Sequence, residues 1–468
     1  TVRILLVQPA KAPHTIGGED VYMFEPLALE YVAAGLAGEH DVRILDLRLE
    51  KDLPRVFAKF KPDLVGITAY TVHVNTVKQL SKLMKTWNPE IFIVVGGHHA
   101  TVAPQDFLEP YIDLVVMGEG VFVFREIVRR LEQGERVNDI PGVALLKEGQ
   151  MIRVPYDPVI DLDVFPSPRR DLTAKYRRHY FTEWMKPLAS IRTSKGCPFR
   201  CSFCALWKLT GGRYLTRKPE NIVMELLEIE EEFVFFADDE SLIDAKRMMK
   251  LARLIKEAGL KKRYFIYGRS DTIVRHPELL EAWREIGLER VFVGLEFFRD
   301  EDLAYIKKGS TAKDNHEAVR ILRSLGIDIY ASFMVRPDFS KEDFHGFRKY
   351  CRELGLTFAT FSVLTPLPGT DFYEEVKDRL ITRNYDLFDF FHTLLPTRLP
   401  LEDFYKELYY LYKRAIPPAK ALLFLAKYQL WDIPPMLKRS ARALDQIRNA
   451  YKDHWDSLVQ VENWSSDI

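Results

Sequence analysis

The chain has 468 residues, enough for two or three domains with large cores, and its 67 lysines and arginines balance 67 aspartates and glutamates. That neutrality leaves no basic field to point to nucleic acid. Four cysteines, three of them in one short stretch, argue against a disulfide-stapled secreted protein. No apolar run reaches the roughly 18 residues of a membrane span, so a cytoplasmic protein is expected.

The opening Thr1-Val-Arg-Ile-Leu-Leu-Val7 reads as a buried strand, with no signal-peptide core and cleavage site. Strand-like runs at 3–7, 42–45, 64–68, 91–95 and 114–117 alternate with helical patterns at 27–36, 54–60, 76–87 and 122–132. Short apolar strands separated by helices predict a parallel sheet covered on both faces, an α/β domain over 1–140. Ligands on such sheets sit at the carboxyl ends of the strands. The loops there are Thr68 to Asn75, Gly96-Gly-His-His-Ala-Thr101 and Gly118-Glu-Gly120, with glycines that allow a bulky ligand close approach. No Gly-x-Gly-x-x-Gly opens the first helix, which disfavours a dinucleotide site. Residues 141–187 read as a β-hairpin turning at Lys147-Glu-Gly-Gln150, then a proline-rich linker. The stretch Tyr176-Arg-Arg-His-Tyr-Phe181 would cover a site or pack at a seam.

Strands and helices alternate again from 188 to 375. Strands are expected at 189–193, 233–236, 263–267, 290–294, 327–333 and 358–364, giving six β/α units, fewer than the eight of a closed barrel. The first strand runs into Thr193-Ser-Lys-Gly-Cys-Pro-Phe-Arg-Cys-Ser-Phe-Cys204. An iron–sulfur cubane normally takes four thiolates, and this loop offers Cys197, Cys201 and Cys204; Cys351 has the spacing of a helical core position. One iron would stay open to a small molecule. A structural zinc knuckle would want four ligands in separated pairs, and no second pair exists. Other strand ends carry Ala237-Asp-Asp-Glu-Ser241, Gly268-Arg-Ser-Asp271, Gly294-Leu-Glu296 and Thr365-Pro-Leu-Pro-Gly-Thr370, a polar set at one mouth. Residues 376–468 read as a helical C-terminal domain with segments at 402–415, 419–431 and 436–451. These form either a cap on the barrel or a basic–aromatic surface for membrane contact.

The Cys-x-x-x-Cys-x-x-Cys spacing, with Phe203 before the last cysteine, resembles the radical S-adenosylmethionine (SAM) superfamily. The sequence Asp63 to Thr68, the Gly96 loop and Gly118-Glu-Gly120, upstream of it, resemble the flavodoxin-like cobalamin-binding domain found before many such cores. An ordinary flavodoxin-like domain would carry similar glycine turns. The resemblance implies a [4Fe-4S] cluster on Cys197, Cys201 and Cys204, with SAM on the open iron. Asp238 or Asp239 would hold its amine and Glu296 its ribose. Arg269 would lie near its carboxylate or the substrate, and Phe203 with backbone from Leu364 to Pro366 would contact adenine. The fifth strand, ending Phe333-Met-Val-Arg-Pro-Asp338, lacks the family's usual glycine, so SAM contacts from it are not expected.

For cobalamin the resemblance implies Thr68, Tyr70, Val72, His73, Gly96, Gly97, His98, Thr101, Gly118, Glu119 and Gly120. The cobalt-ligating Asp-x-His-x-x-Gly motif of one branch is absent, and loop 70–73 is expected to cover the lower face, with His73, His98 or His99 as alternative ligands. The implied activity is C-methylation of an unactivated carbon: a 5′-deoxyadenosyl radical removes hydrogen and methylcobalamin supplies the methyl group. A cyclase without methyl transfer is the alternative, and a non-catalytic sensor would have no use for the strand-end set. An external flavodoxin or ferredoxin would supply electrons. The stretch Asp389-Phe-Phe-His392 to Pro400 is similar to tails of hopanoid-lipid methylases and of the porphyrin ring cyclase, which implies a small-molecule substrate, lipid or another hydrophobic precursor, reached through peripheral membrane contact.

Overall fold

A computed structural model describes residues 1–36 and 40–455, which fall into two compact units: Thr1–Thr15 with Phe24–Tyr180, and Ile16–Met23 with the chain from Phe181 onward.

In the first unit, strands β1 (Arg3–Gln8), β2 (Asp41–Asp46), β3 (Leu64–Thr68), β4 (Phe92–Gly96) and β5 (Leu114–Val116) run parallel in the order β2-β1-β3-β4-β5. Ile4 to Val7 and Leu64 to Ile67 are buried without alternation, because helices cover both faces. The helices lie at Leu27–Gly35, Leu53–Phe60, Val74–Trp87 and Gly120–Gln133, as their apolar spacing predicts. This is the flavodoxin-like order, whose ligand crevice opens where the strand sequence reverses beside β1 and β3. The hairpin β6 (Val143–Lys147) and β7 (Gln150–Arg153) continues the same sheet, antiparallel. The stretch around Tyr176 packs on this unit: Arg177 pairs with buried Glu25 at 2.8 Å, and the Tyr176 and Tyr180 hydroxyls donate to Glu50 and Asp46 at 2.6 and 3.2 Å.

In the second unit, β8 (Leu188–Ile191), β9 (Phe233–Phe236), β10 (Arg263–Gly268), β11 (Leu288–Glu296), β12 (Asp328–Val335) and β13 (Ala359–Val363) are parallel neighbours in strict chain order. This is β/α-barrel topology two units short of the closed form. Val234, Phe236, Ile266, Val291, Val293, Phe333 and Val363 face the helices and form the main core. The alternate residues carry rings on the opposite face, where Phe235, Tyr267, Phe292 and Tyr330 follow one another at centroid distances of 5.1, 4.4 and 5.0 Å.

The edge strand β13 is covered by the tail. The Tyr412 hydroxyl accepts from Phe361 N–H at 2.9 Å and donates to its carbonyl at 2.7 Å, and the Phe390 carbonyl accepts from Val363 N–H at 2.6 Å. Phe404, Tyr405, Leu408 and Leu411 of helix Leu401–Arg414 enter the barrel core, so this helix caps it. The tail is bolted by His392, whose ring nitrogens meet Asp389 and Asp453 at 2.7 Å each. The helix expected over 419–431 stops at Leu425. A new helix, Ile433–Asn449, starts with Pro434 and Pro435 in its first turn, where prolines can begin a helix but not continue one.

Candidate active site

The cysteine loop leaves β8 and is fixed from three sides. Gly196, just before Cys197, has φ of +87°, and a Cβ there would stand 2.2 Å from the Arg213 carbonyl, so only glycine fits. Ser202 N–H donates to the Ile306 carbonyl at 3.0 Å, the Ser202 carbonyl accepts from Phe372 N–H at 2.9 Å, and Trp207 Nε1 donates to the Cys201 carbonyl at 3.1 Å. Burial pushes the Cys197 thiol up to about 11 and Cys204 up to about 12; negative charge on Cys201 raises both, so the three sulfurs lie within electrostatic reach of one another. Cys351 is fully buried in the helix Lys341–Leu354, the core position its spacing predicts. Among the described residues no group of three or more histidine, cysteine or acidic side chains is gathered to hold a single metal ion. A loop of three thiols, with no fourth cysteine beside it among the described residues, fits a cluster with one open iron.

The two aspartates after β9 differ. Asp238 accepts from Thr193 N–H at 2.7 Å, Ser194 N–H at 2.9 Å and the Ser241 hydroxyl at 3.1 Å, and also from the Thr193 hydroxyl. It is a clamp on the root of the cysteine loop. Asp239 accepts from Gly196 N–H at 2.7 Å through Oδ2 alone, and burial together with the Asp238 charge raises its pKa. Its other oxygen has no partner among the described residues. Glu240 is buried, which pushes it up to about 7, against hydrogen bonds from Arg269 N–H, the Thr272 hydroxyl and Leu242 N–H at 3.1, 2.9 and 2.8 Å.

Glu296 ends β11 with φ of +65°, beside a register shift against β12. Left-handed backbone at a non-glycine residue is strained and marks a position held by its surroundings. Its Oε1 accepts from Lys308 Nζ at 2.8 Å, and Gly294 makes the room: a Cβ there would lie 2.5 Å from that oxygen. The Lys308 carbonyl in turn accepts from Arg269, whose Nε also donates to Asp271 at 2.9 Å. Sequence reasoning missed Lys308; its signal was the Lys-Lys-Gly-Ser-Thr311 turn one short helix beyond Glu296. Phe203 is half-buried against the core, and Leu364 N–H is taken by the Val335 carbonyl at 2.9 Å. Pro366, with no N–H, leaves only its carbonyl as a polar backbone contact.

In the first unit the loops after β3, β4 and β5 interlock. Gly97 has φ of +100°, and a Cβ on it would strike Thr68 Oγ1 at 2.7 Å and Ala69 N at 2.8 Å. The Thr101 hydroxyl donates to the Gly97 carbonyl at 2.9 Å and accepts from Gly118 N–H at 3.0 Å. Thr68, Val72, Gly96, Gly97, His98, Thr101, Gly118, Glu119 and Gly120 are all partly exposed, at the ends of strands whose middles are buried. Small residues presenting backbone at the carboxyl edge suit a broad flat ring such as a corrin. Tyr70 is exposed and its ring stands 6.0 Å from His98. Burial and the neighbouring His99 push His98 down to about 4, so its imidazole is neutral at pH 7. His99 is committed through both ring nitrogens, to the Thr71 hydroxyl at 2.9 Å and Asp106 at 2.8 Å. His73 Nδ1 accepts from Tyr70 N–H at 3.3 Å, which places the proton on Nε2.

The B12 binding domain model matches residues 13–128 and the radical SAM superfamily model residues 191–351. A hopanoid C-3 methylase of Methylococcus capsulatus is 36% identical over 87% of this chain and 79% of its own. An uncharacterized methyltransferase of Pyrococcus horikoshii is 31% identical over 77% of this chain and 80% of its own. Among solved structures, the cobalamin-dependent SAM radical enzyme OxsB, with aqua-cobalamin and SAM bound, superposes with a TM-score of 0.69 at 16% identity, over 87% of this chain and 65% of that one. That likeness shows the fold. With both domain models matched in order and the methylase alike over 87% of the chain, this chain belongs to the radical SAM methyltransferases that work with cobalamin and a [4Fe-4S] cluster.

Proposed function

We propose that the enzyme methylates an unactivated carbon of a hydrophobic, ring-bearing small molecule drawn from a membrane. The observation that carries the reaction is the three-thiol loop among the strand ends of the open barrel, in a chain whose first unit presents the glycine-edged sheet described above. When bound, the cluster with SAM supplies the hydrogen-abstracting radical, and the corrinoid supplies the methyl group. Cys197, Cys201 and Cys204 would hold the cluster. Asp239 has a spare carboxylate oxygen for an ammonium, and Glu296 has one for ribose hydroxyls. Phe203 and the backbone from Leu364 to Pro366 would bracket adenine. Thr68, the 70–73 loop, Gly96 to Thr101 and Gly118 to Gly120 would bear the corrin. His73, whose Nδ1 accepts from Tyr70 N–H, and His99, engaged through both ring nitrogens, are not offered to cobalt in this reading.

The aromatic face formed by Phe235, Tyr267, Phe292 and Tyr330 suits a flat apolar guest and excludes water from the reacting carbon. Access from a bilayer fits the tail. Leu422, Leu423, Leu430, Trp431 and Leu437 are exposed within one short stretch, Leu430 by 81% and Trp431 by 73%, beside exposed Lys420 and Lys438. No helix of the described residues is long and apolar enough to cross a membrane, so the contact would be peripheral. Electrons would come from an external flavodoxin or ferredoxin.

The test is anaerobic turnover of the reconstituted chain with methyl-labelled SAM and a membrane lipid extract. Labelled product with both S-adenosylhomocysteine and 5′-deoxyadenosine is expected; deoxyadenosine with an unlabelled, cyclised product would establish the cyclase instead. Flotation with anionic vesicles should be lost in a Leu430→Ser/Trp431→Ser variant, and unchanged flotation would remove the membrane step.

A further inference from the structure

We propose that Arg269 is a cluster-tuning residue: its guanidinium, hydrogen-bonded to the Cys201 sulfur, makes the reduction potential of the [4Fe-4S] cluster less negative than the loop alone would set it. Nη1 lies 3.7 Å from Cys201 Sγ, within sulfur hydrogen-bond range. The fork is locked. Nε and Nη2 reach the two Asp271 oxygens at 2.9 and 3.3 Å, Nη2 also donates to the Lys308 carbonyl, and the cation sits 3.6 Å from the Phe199 ring centroid. Four of the five guanidinium N–H groups are thereby placed, which leaves little for a SAM or substrate carboxylate.

The charge is only partly cancelled. Asp271 is shared with Arg275, whose Nη2 stands 3.4 Å away, and the Lys308 ammonium is taken by Glu296. Arg269 is 5% exposed, so water screens it weakly. Reduction adds one negative charge to the cluster, and a fixed cation donating to a ligating sulfur stabilises that charge. Hydrogen bonds to cluster sulfurs and local net charge are the levers that set such potentials.

This rests on the cluster reading above, and iron and sulfide analysis of the wild-type chain decides that reading separately. The test is a redox titration of the anaerobically reconstituted full chain, without SAM, followed by electron paramagnetic resonance. Arg269→Gln is expected to keep its iron and sulfide per chain while its midpoint moves to more negative potential. Asp271→Asn, which unmasks the guanidinium, is expected to move it the opposite way. A fully loaded Arg269→Gln chain with the wild-type midpoint would overturn the proposal. Should Arg269→Gln assemble no cluster, Asp271→Asn decides alone: a less negative midpoint supports the assignment, and an unmoved or more negative one overturns it.

Discussion

The loop sets of the two units are built from opposite materials. At the carboxyl edge of the first sheet the chain offers backbone, small side chains and a neutral imidazole, held apart by glycine geometry at Gly97 and Gly118. In the second unit, buried charge does the positioning: Asp238 grips the cysteine loop, Lys308 grips Glu296, and Arg269 spans Asp271 and Cys201. A site shaped by backbone is sensitive to an added methyl group, and a site shaped by ion pairs is sensitive to a removed charge. The difference is what the proposed ligands would ask for, a broad macrocycle in one case and a small zwitterion on a metal cluster in the other.

The contrast can be broken most directly at Cys201→Ala, which should abolish cluster absorbance and 5′-deoxyadenosine formation while corrinoid content, measured after acid extraction, stays at the wild-type level. Lys308→Met leaves the Glu296 carboxylate buried without its partner and should cost about 3–5 kcal/mol in denaturant unfolding. The double variant with Glu296→Gln should recover most of that, and its failure to do so would show that the pair does not act through charge. The tail gives a pH test. Burial alone would lower His392, but Asp389 and Asp453 outweigh it and hold the imidazole up at about 9. Its stabilising effect is full below the unfolded value near 6.5 and fades as pH rises through 9, about 2–3 kcal/mol at pH 7. Thermal melts from pH 6 to 10 should therefore fall more steeply for wild type than for His392→Gln. The smallest effect is expected at Gly97→Ala, about 1–2 kcal/mol of backbone strain, read as weakened corrinoid retention with iron content unchanged.

The fold could be read from the sequence because both sheets are parallel and buried: uninterrupted runs such as Ile4 to Val7 and Phe233 to Phe236 announce such strands, and helical spacing fills the gaps. The cysteine loop was legible because its donors are close in sequence. What escaped depends on distant partners. Adjacent aspartates leave a strand end in different directions, so only the structure separates the clamped Asp238 from the half-engaged Asp239. Lys308 reaches Glu296 through a turn, Tyr176 and Arg177 find acids more than a hundred residues earlier, and His99 is used up by Thr71 and Asp106. No local periodicity encodes such pairings.

The hydroxyl of Tyr412, making two hydrogen bonds to the backbone of one residue of β13, has a consequence for how the sheet can grow. An edge whose last rungs are occupied by a phenol and by the Phe390 carbonyl recruits no further strand, from its own chain or from a neighbour. The sixth stave is therefore sealed by its own chain, and its exposed rungs offer no template on which a stray strand could add.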